Sequence, residues 1–315
     1  MLEIKTAPPS TRSRESNSII NTAIKPAQFK EVKPAPAYVE NEDKISLKII
    51  PFIFMHVACL AVFWVGFSWP AVLLCASLYA LRMFGLTAGF HRYFSHRSYK
   101  TSRFFQFILA LLGTMAVQKG PLWWAAHHRR HHKYTDQEGD IHSPVTEGFW
   151  WSHVGWVIST KYDSTDWNAI KDFSRFPELR WLNTYHIVPG VALAVLCFFG
   201  GVYFGASGWQ WLVWGFFIST VVLYHGTFTV NSLAHMWGSR RYETTDDSRN
   251  NFWIALWTGG EGWHNNHHHY MASVRQGFYW WEIDFSYYAL RMMSWFRLVW
   301  DLRLPPKHLL AEGGS

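Results

Sequence analysis

Apolar residues in this chain are gathered into long uncharged blocks that alternate with polar stretches. Four blocks of 21 or 22 residues lie at 49–69, 70–90, 186–206 and 209–230, and only Arg82 interrupts them with a formal charge. At about 1.5 Å of rise per residue, such a block makes a helix of about 31 Å, which is enough to cross the hydrocarbon core of a bilayer. The pattern predicts four transmembrane helices.

Short connections join these blocks in pairs. Residues 68–70 link the first two blocks and residues 207–208 link the last two, so we expect two helical hairpins. A fifth apolar run at 104–117 has only 14 residues, which suits a re-entrant or interfacial helix better than a span. The alternative is that the blocks are core helices of a soluble protein, but four runs of bilayer length joined by short turns argue against it.

Polar segments flank the apolar region. Residues 1–48 are rich in Pro, Ser, Lys and Glu without apolar periodicity, so we predict a disordered N-terminal arm that is neither a secretory signal nor a transit peptide. Residues 306–315 are predicted to form a C-terminal tail, which leaves 49–305 as one domain. The expected fold class is therefore an all-α integral membrane protein.

Nearly all basic residues lie on one side of the predicted topology. Of 29 Lys and Arg residues, 8 fall in 1–48, 12 in 91–185 and 8 in 231–315, and the last is Arg82. The positive-inside tendency predicts that these segments are cytoplasmic and form a helical cap on that face. The net charge of +7 then needs no nucleic acid, and it suits anionic lipid headgroups or an anionic substrate.

Composition narrows the class of protein further. Aromatic residues reach 18% while charged residues are only 16%, which excludes a disordered chain. The three cysteines all lie inside predicted spans and are too few for a disulfide scaffold. The residue type that points to chemistry is histidine, which occurs 17 times.

Most of these histidines form four clusters at the ends of the predicted spans and in the polar segments. His128, His131 and His132 are spaced i, i+3, i+4, so they share one face of a helix, and the same spacing recurs from His264. The clusters are His91 and His96; His127, His128, His131 and His132; Asn231 and His235; and His264, His267, His268 and His269.

The first cluster has a different spacing. His91 and His96 are five residues apart, which would separate them by about 140° on a regular α-helix. We therefore expect this pair to straddle a helix end and to point inward from a bend. All four clusters reach one membrane face only if the run at 104–117 does not cross the bilayer.

The nine clustered histidines with the spacings described, which leave out His127 and His269, indicate two metal ions rather than one. Neutral imidazole binds iron, zinc, copper or nickel. A structural zinc site more often includes cysteine, and a copper or haem site needs fewer histidines. Repeated spacing argues against an accidental surface cluster. A non-enzymatic metal or haem carrier would place its histidines inside the spans, where only His56, His186 and His225 lie.

With these clusters in view, the chain resembles the membrane fatty acid desaturase family, and most closely its acyl-CoA Δ9 members of the stearoyl type. The resemblance covers roughly residues 45–305. It is carried by an HxxxxH motif at 91–96, HRxHH at 128–132, NSxAH at 231–235, GEGxHNxHH at 260–268, and further similar stretches at 140–144 and 148–153.

The resemblance implies a di-iron centre held by nine histidines, with Asn231 acting on one iron through a bound water. His127 and His269 extend the motifs but fall outside the matching positions, so they are expected around the ligands or on the surface. Carried over residue by residue, the implied ligands are His91, His96, His128, His131, His132, His235, His264, His267 and His268.

The resemblance also implies the reaction. The protein would be an O2-dependent oxidoreductase that introduces a cis double bond into a saturated fatty acyl chain, with Δ9 as the favoured position and acyl-CoA as the favoured carrier. Its two electrons would come from a separate protein of the cytochrome b5, ferredoxin or rubredoxin type, because no HPGG segment typical of a fused cytochrome b5 is present. A membrane hydroxylase and an acyl-lipid desaturase are the alternatives. A bacterial cytoplasmic membrane is favoured over the endoplasmic reticulum.

Several other side chains are expected to support this site. Arg82 lies inside a predicted span, where a charge is costly, and it either serves function or pairs structurally with the bundle. Carboxylates within eight residues of an implied ligand are predicted to orient imidazoles, and they are Glu261, Asp136 and Asp140. Candidates for the substrate headgroup at the mouth of an acyl tunnel, with lipid phosphate as the alternative partner, are Gln118, Lys119 and Arg129.

Overall fold

The computed structural model describes Leu47 and residues 49–313 and is mostly helical in this range. Two helices, Trp69–Ser95 and Gly208–His235, are long and apolar enough to cross a membrane. A third span exists if Pro177–Thr184 and Ile187–Tyr203, which meet at 72°, are counted as one. The spans predicted at 70–90 and 209–230 thus coincide with long helices, whereas the four-span arrangement stays a prediction.

The other two predicted spans are shorter than expected. The helical run Ile49–Val65 stops before Gly66, whose φ of 70° is a left-handed conformation that glycine adopts readily. This run comprises Ile49–Ala58, a 3-10 turn at Cys59–Ala61, and Val62–Val65. The predicted N-terminal arm lies outside the described residues, except for Leu47.

The Trp69–Ser95 helix changes its winding before it reaches the first histidine cluster. It begins as an α-helix at Trp69–Phe84, where the hydroxyl of Ser68 caps the first turn, and continues as a π-helix over Gly85–Ser95. A π-helix bonds residue i to i+5 and so turns less per residue than an α-helix. His91 and His96 therefore come together as predicted, and His96 sits at the helix end, but π-helical winding takes the place of the predicted bend.

The helix Arg103–Thr114 packs antiparallel against this π-helix. A Cβ on Gly85 would overlap the backbone of Gly113, and one on Gly89 would lie 3.1 Å from the carbonyl oxygen of Leu109, so the two backbones approach closely because glycine is present. With 12 residues, this helix is shorter than a span. Its position beside the π-helix brings the polar segments before and after it towards the first cluster.

Arg82 ties three helices together inside the bundle. Its guanidinium donates to the hydroxyl of Ser219 at 2.5 Å and to that of Thr220 at 2.6 Å, and it reaches the carbonyl oxygen of Met115 at 3.4 Å. The side chain is completely buried. Of the two roles that the sequence left open for Arg82, function or structural pairing with the bundle, the contacts therefore favour structural pairing.

The Gly208–His235 helix is also a composite of windings. It consists of Gly208–Leu212, a π-helix at Val213–Ile218, Ser219–Asn231, and a 3-10 turn at Leu233–His235. The third cluster thus falls at the end of this helix, as Asn231 closes the α-helical part and His235 closes the turn.

Short helices and one small sheet complete the described part of the chain. The strands Lys100–Thr101 and Val299–Trp300 pair antiparallel, with Lys100 opposite Trp300. Within the predicted C-terminal tail, the carbonyl oxygens of Leu309 and Leu310 accept hydrogen bonds from two tyrosines. The remaining helices are Pro121–Tyr134, Pro144–Glu147, Trp151–Gly155 (π), Trp156–Ile158, Lys171–Ser174, Phe252–Trp257, His264–His269, Phe285–Trp295 and Lys307–Glu312.

Candidate metal centre

Nine histidines from four separate elements converge in two neighbouring groups. Within each group, one ring nitrogen from every histidine lies within 4.8 Å of the others. These are the nine histidines that the sequence motifs singled out. The first group is His91, His96, His128, His132 and His267, and the second is His131, His235, His264 and His268.

The helix Pro121–Tyr134 supplies both groups because of its i, i+3, i+4 spacing. His128 and His132 turn into the first group, while His131, between them on the same face, joins the second. The histidines of the helix His264–His269 are divided in the same manner, with His267 in the first group and His264 and His268 in the second. Two helices with the same triplet therefore form the shared wall between the groups.

The Nε2 atoms are the atoms that face each other. His91 Nε2 lies 3.0 Å from that of His267, and His96 Nε2 lies 2.9 Å from that of His128. In the second group, the Nε2 atoms of His235 and His264 are 3.0 Å apart. Such convergence of one nitrogen per ring is the arrangement that a shared cation requires.

Carboxylates hold the opposite ring nitrogen of four of these histidines. The Nδ1–H groups of His131, His235 and His268 each donate to one aspartate, and that of His91 donates to a glutamate. A donor bond at Nδ1 fixes the tautomer, so the lone pair of Nε2 points into the group. The pairs are His131–Asp140 at 3.0 Å, His235–Asp136 at 2.8 Å, His268–Asp246 at 2.9 Å, and His91–Glu261.

Asp246 is the carboxylate that sequence reasoning missed. It lies 22 residues before His268, in the irregular segment that follows the third cluster, so a search close to each histidine along the chain does not find it. The other three were expected from their proximity to a histidine. Asp136 does more than contact His235, because its carboxylate also accepts hydrogen bonds from Ser143 and from the backbone of Asp247.

Burial keeps most of these imidazoles neutral. It lowers the pKa of His128, His264 and His268 well below the usual range, and neighbouring histidines add to the effect. The pKa of His131 is raised instead, because burial opposes its cation but the carboxylate of Asp140 outweighs burial. Burial alone would raise the pKa of Asp140, yet His131 brings it below its usual range.

Two buried nitrogens test whether a cation fits. The Nε2 atoms of His131 and His268 have no hydrogen-bond partner among the described residues, and in both rings Nδ1 already donates to a carboxylate. Each Nε2 is therefore a buried lone pair without a donor, which costs free energy unless a ligand satisfies it. The residues present fit a metal ion in the second group and, by the same convergence of nitrogens, in the first.

An apolar cavity of about 570 Å³ reaches these histidines. His91, His128, His131 and His264 line it together with Asn231. Apolar side chains from the spans line the rest, among them Phe52, Met55, Met83, Phe216 and Phe228. The cavity has the size of a pocket for a small molecule, and its walls suit an aliphatic chain whose carbons pass the histidine groups.

Comparison with known proteins agrees with this geometry. The sequence model of the family described as "Fatty acid desaturase" matches residues 67–298, which is most of the chain and includes all nine histidines. The chain belongs to the fatty acid desaturase family. It is accordingly an oxidoreductase that acts on fatty acyl chains with O2, and its long apolar helices accord with the membrane character of such an enzyme.

Characterised relatives of this desaturase differ in the substrate that their names give. The chain is 38% identical to an acyl-CoA C20 Delta5-desaturase of Anemone leveillei, over 80% of this chain and 79% of the relative. It is 36% identical to Delta-9 acyl-lipid desaturase 1 of Arabidopsis thaliana, over 82% and 83%. It is 39% identical to an sn-1 stearoyl-lipid 9-desaturase of Synechocystis, over 83% and 81%.

Of the residues expected near a substrate headgroup, two line the cavity of the desaturase and one does not. Gln118 donates to Thr227 at 2.7 Å, and the ammonium of Lys119 lies 3.0 Å from Asp163 and over the ring of Trp123. Arg129 does not line the cavity. Its guanidinium donates hydrogen bonds to backbone carbonyl oxygens and to both carboxylate oxygens of Asp172, the latter at 2.9 Å each.

The histidines outside the two groups fall into separate environments. His127 lines the cavity, donates to the Trp123 carbonyl oxygen at 2.8 Å, and has its pKa lowered to about 4 chiefly by burial. His269 stacks on Tyr242, with ring centroids 4.3 Å apart. His142, which sequence reasoning did not name as a site residue, packs on His131 and could join it and Asp140 around a cation.

Two histidines of the apolar helices belong to a hydrogen-bonded chain. His56 Nε2 lies 3.1 Å from His225 Nε2, and His225 Nδ1 lies 3.1 Å from Nε2 of His153. His153 in turn contacts the hydroxyl of Ser232 at 3.0 Å. These rings pair with each other rather than with the nine histidines. Among the described residues, His56 and His225 belong to no metal-binding group.

Proposed function

We propose that this desaturase is a di-iron enzyme that introduces a cis double bond at the Δ9 position of a saturated fatty acyl chain. The observation that carries the proposal is the convergence of nine histidine ring nitrogens in two groups that border an apolar cavity. When bound, the iron pair supplies activation of O2 and removal of two hydrogens from adjacent methylenes, with two electrons from a separate protein.

The proposed ligand sets follow the two groups. One iron would be held by His91, His96, His128, His132 and His267. The other would be held by His131, His235, His264 and His268, with a water between it and Asn231, whose side chain lines the same cavity. Neither group, as the described residues form it, contains a cysteine, and most of its imidazoles are buried and neutral, which supports a site for a borderline metal such as iron.

The chain's own side chains would then position both metals and substrate. Asp136, Asp140, Asp246 and Glu261 keep four imidazoles in the tautomer that presents Nε2. The apolar cavity excludes water and holds the acyl chain in an extended path, so the position of the double bond is set by how far the chain enters. Gln118 and Lys119, at a polar part of the wall, would meet the headgroup.

The carrier of the acyl chain has two candidates. Acyl-CoA is the first, because its anionic headgroup suits the basic character of the chain, with a net charge of +7. Acyl-lipid is the second, and it is favoured by relatives named as lipid 9-desaturases. Purified enzyme is supplied with stearoyl-CoA in one reaction and with stearoyl-lipid vesicles in another, with the same electron donor in both. The carrier whose reaction yields the unsaturated product is the substrate.

Membrane arrangement is part of the proposal. We infer four spans in two hairpins, with the metal groups on the cytoplasmic face where 28 of 29 basic residues fall by the predicted topology. An electron donor of the cytochrome b5, ferredoxin or rubredoxin type would approach this face. A bacterial cytoplasmic membrane is the favoured location, with the endoplasmic reticulum as the alternative.

Fatty acid analysis of an expressing host tests the activity. The host should accumulate a Δ9 cis-monoenoic fatty acid when iron and a donor are present. His264→Ala should abolish this product while the protein remains folded in the membrane. His269→Ala is the matched control, because His269 lies on the same helix but stacks on Tyr242, and it should retain the product. An alcohol in place of the alkene, or full activity in His264→Ala, would contradict the proposal.

A further inference from the structure

A second cavity lies at the start of the Arg103–Thr114 helix and shares no lining residue with the apolar cavity. Its volume is about 290 Å³. The Lys100–Thr101 and Val299–Trp300 strands and the Lys171–Ser174 helix surround it. None of the nine histidines lines it, so its role is independent of the proposed ligand sets.

The lining of this cavity is strongly basic. One acidic residue, Asp172, lines it. That carboxylate is bound by Arg129, which lies outside the cavity, and also lies 3.5 Å from Arg97 of the lining. Arg175 and Arg303 have no acidic partner within ion-pair distance in the described part of the chain. The five basic side chains in the lining are Arg97, Lys100, Arg103, Arg175 and Arg303.

The acidic residues around the rim neutralise this charge only weakly. Lys100 pairs with Asp301 at 2.8 Å and Arg103 pairs with Glu178 at 2.7 Å, but both cations are mostly exposed. Exposed ion pairs of this kind contribute little free energy, because solvent screens them. The cavity therefore keeps an excess of positive charge that an anion can use.

A buried amide provides the second, independent observation. Gln106 lines the cavity, is only 3% exposed, and accepts a hydrogen bond from the Tyr93 hydroxyl at its Oε1, 3.0 Å away. Its Nε2 has no hydrogen-bond partner among the described residues. A buried donor without an acceptor costs free energy, so a ligand that brings acceptor oxygens is stabilised there.

We propose that this cavity binds a small phosphate-bearing anion. A phosphate offers three or four acceptor oxygens and up to two negative charges, which match two unpaired guanidinium groups and one amide donor. The N-terminal turn of the 12-residue helix, which begins at Arg103 beside the cavity, adds a favourable dipole. An aliphatic ligand would leave the Gln106 amide and the guanidinium groups of Arg175 and Arg303 without an acceptor.

The cavity shares no lining residue with the apolar cavity, which favours a water-soluble phosphate ester over a lipid headgroup. The π-helix and the Arg103–Thr114 helix run antiparallel, with Gly85 and Gly113 close together at one end and Tyr93 and Gln106 at the other. The cavity lies at the end that carries Tyr93 and Gln106. Arg97 directly follows His96, so a bound anion would also stabilise the segment that carries the first histidine cluster.

The test measures phosphate binding by the full-length protein purified in detergent. Sodium phosphate should raise the midpoint of thermal unfolding relative to sodium chloride at equal ionic strength, and a titration gives the Kd. The double variant Arg175→Ala/Arg303→Ala should weaken phosphate binding about tenfold or more, since it removes two charged donors, and both residues are exposed. Arg291→Ala, an exposed arginine outside the cavity, is the matched control and should bind like the native protein.

A second variant and a second probe complete the test. Gln106→Glu places a negative charge inside the cavity and should abolish binding while its carboxylate can still accept from Tyr93. Dioctanoyl phosphatidic acid in micelles serves as the lipid probe. If it alone stabilises the protein, and the double variant loses that effect, the phosphate comes from a lipid. No stabilisation by either probe, or equal binding in the native and double-variant proteins, would overturn the proposal.

Discussion

At the residue scale, the tethering of Nδ1 explains how buried histidines present the correct nitrogen. Three aspartates and one glutamate each bind one ring, and three of these pairs are 2.8–3.0 Å long. Because the carboxylates come from different parts of the chain, each histidine is fixed by a contact that the motif itself does not contain. These contacts set the geometry of the groups as much as the histidines do.

Asp246 gives the sharpest test of this tethering. Asp246→Asn keeps the size of the side chain but removes the charge that holds the Nδ1–H of His268, so iron affinity should fall about 10- to 100-fold, with loss of activity. Iron content of the purified variant, measured against a chelator series, checks the prediction. Asp247→Asn is the control, because the Asp247 side chain is exposed and pairs with Arg240. Equal iron affinity in both variants would contradict the tether.

The histidines themselves were predictable from the sequence, whereas their tethers were predictable only in part. Spacing of i, i+3, i+4 fixes which rings share a helix face, and all nine rings meet as the motifs indicated. Asp246 reaches His268 across an irregular segment, and contacts of this kind depend on tertiary packing that no local pattern encodes. Arg129 shows the reverse case, since its position near a motif suggested a headgroup contact but packing directs it to Asp172.

At the element scale, the π-helix at Gly85–Ser95 is the feature that assembles the first cluster. Sequence periodicity assumes 3.6 residues per turn, which separates His91 and His96 by about 140°, so a bend at the helix end was predicted to bring them together. The wider winding brings their ring centroids to 4.8 Å. The π-helix packs closely against the Arg103–Thr114 helix. The short apolar run predicted that second helix but not the helix on which it packs.

This packing predicts strong sensitivity at one glycine. Gly85→Ala should destabilise the protein by about 1–3 kcal/mol, because the new Cβ meets the backbone of Gly113 and neither helix can shift without disturbing the histidines. The midpoint of thermal unfolding measures the effect. Gly200→Ala is the matched control, since its Cβ would make only ordinary contact with Trp211 at 3.5 Å. A Gly85→Ala protein as stable as Gly200→Ala would be inconsistent with the close approach.

A second prediction about the packing of the helices concerns Arg82. Arg82→Met fills similar space but removes the hydrogen bonds to Ser219 and Thr220 that join the two long helices, so stability should fall by about 2 kcal/mol or more. The variant is compared with Arg291→Met, which changes an exposed arginine. If both unfold at the same temperature, Arg82 does not tie the bundle together.

At the scale of the whole molecule, the question is how the helices cross the membrane. The two long helices coincide with predicted spans, and each carries a histidine cluster at its C-terminal end. Hydropathy finds such helices because burial in lipid demands uninterrupted apolar sequence. It does not fix where a helix ends or bends, as the break at Thr184–Ile187 and the early end at Val65 show.

Labelling of introduced cysteines tests the four-span topology. A membrane-impermeant maleimide applied from the cytoplasmic side should label a cysteine placed at Lys133, which lies in the predicted cap, and should not label one placed at Ser207, which lies in the predicted turn on the far side. The native cysteines are replaced by alanine in both proteins. Labelling of both positions from the same side would require a different number of spans.

The proposed di-iron centre, in which nine histidines beside the acyl cavity hold two irons, can be tested by measuring iron per chain in the purified protein. The same measurement is made on variants of one ring from each group, His96→Ala and His264→Ala. We expect about two irons in the native protein, clear loss of iron in both variants, and native iron content in His269→Ala. A native protein that holds one iron or another metal, or variants that keep full iron, would contradict a di-iron centre.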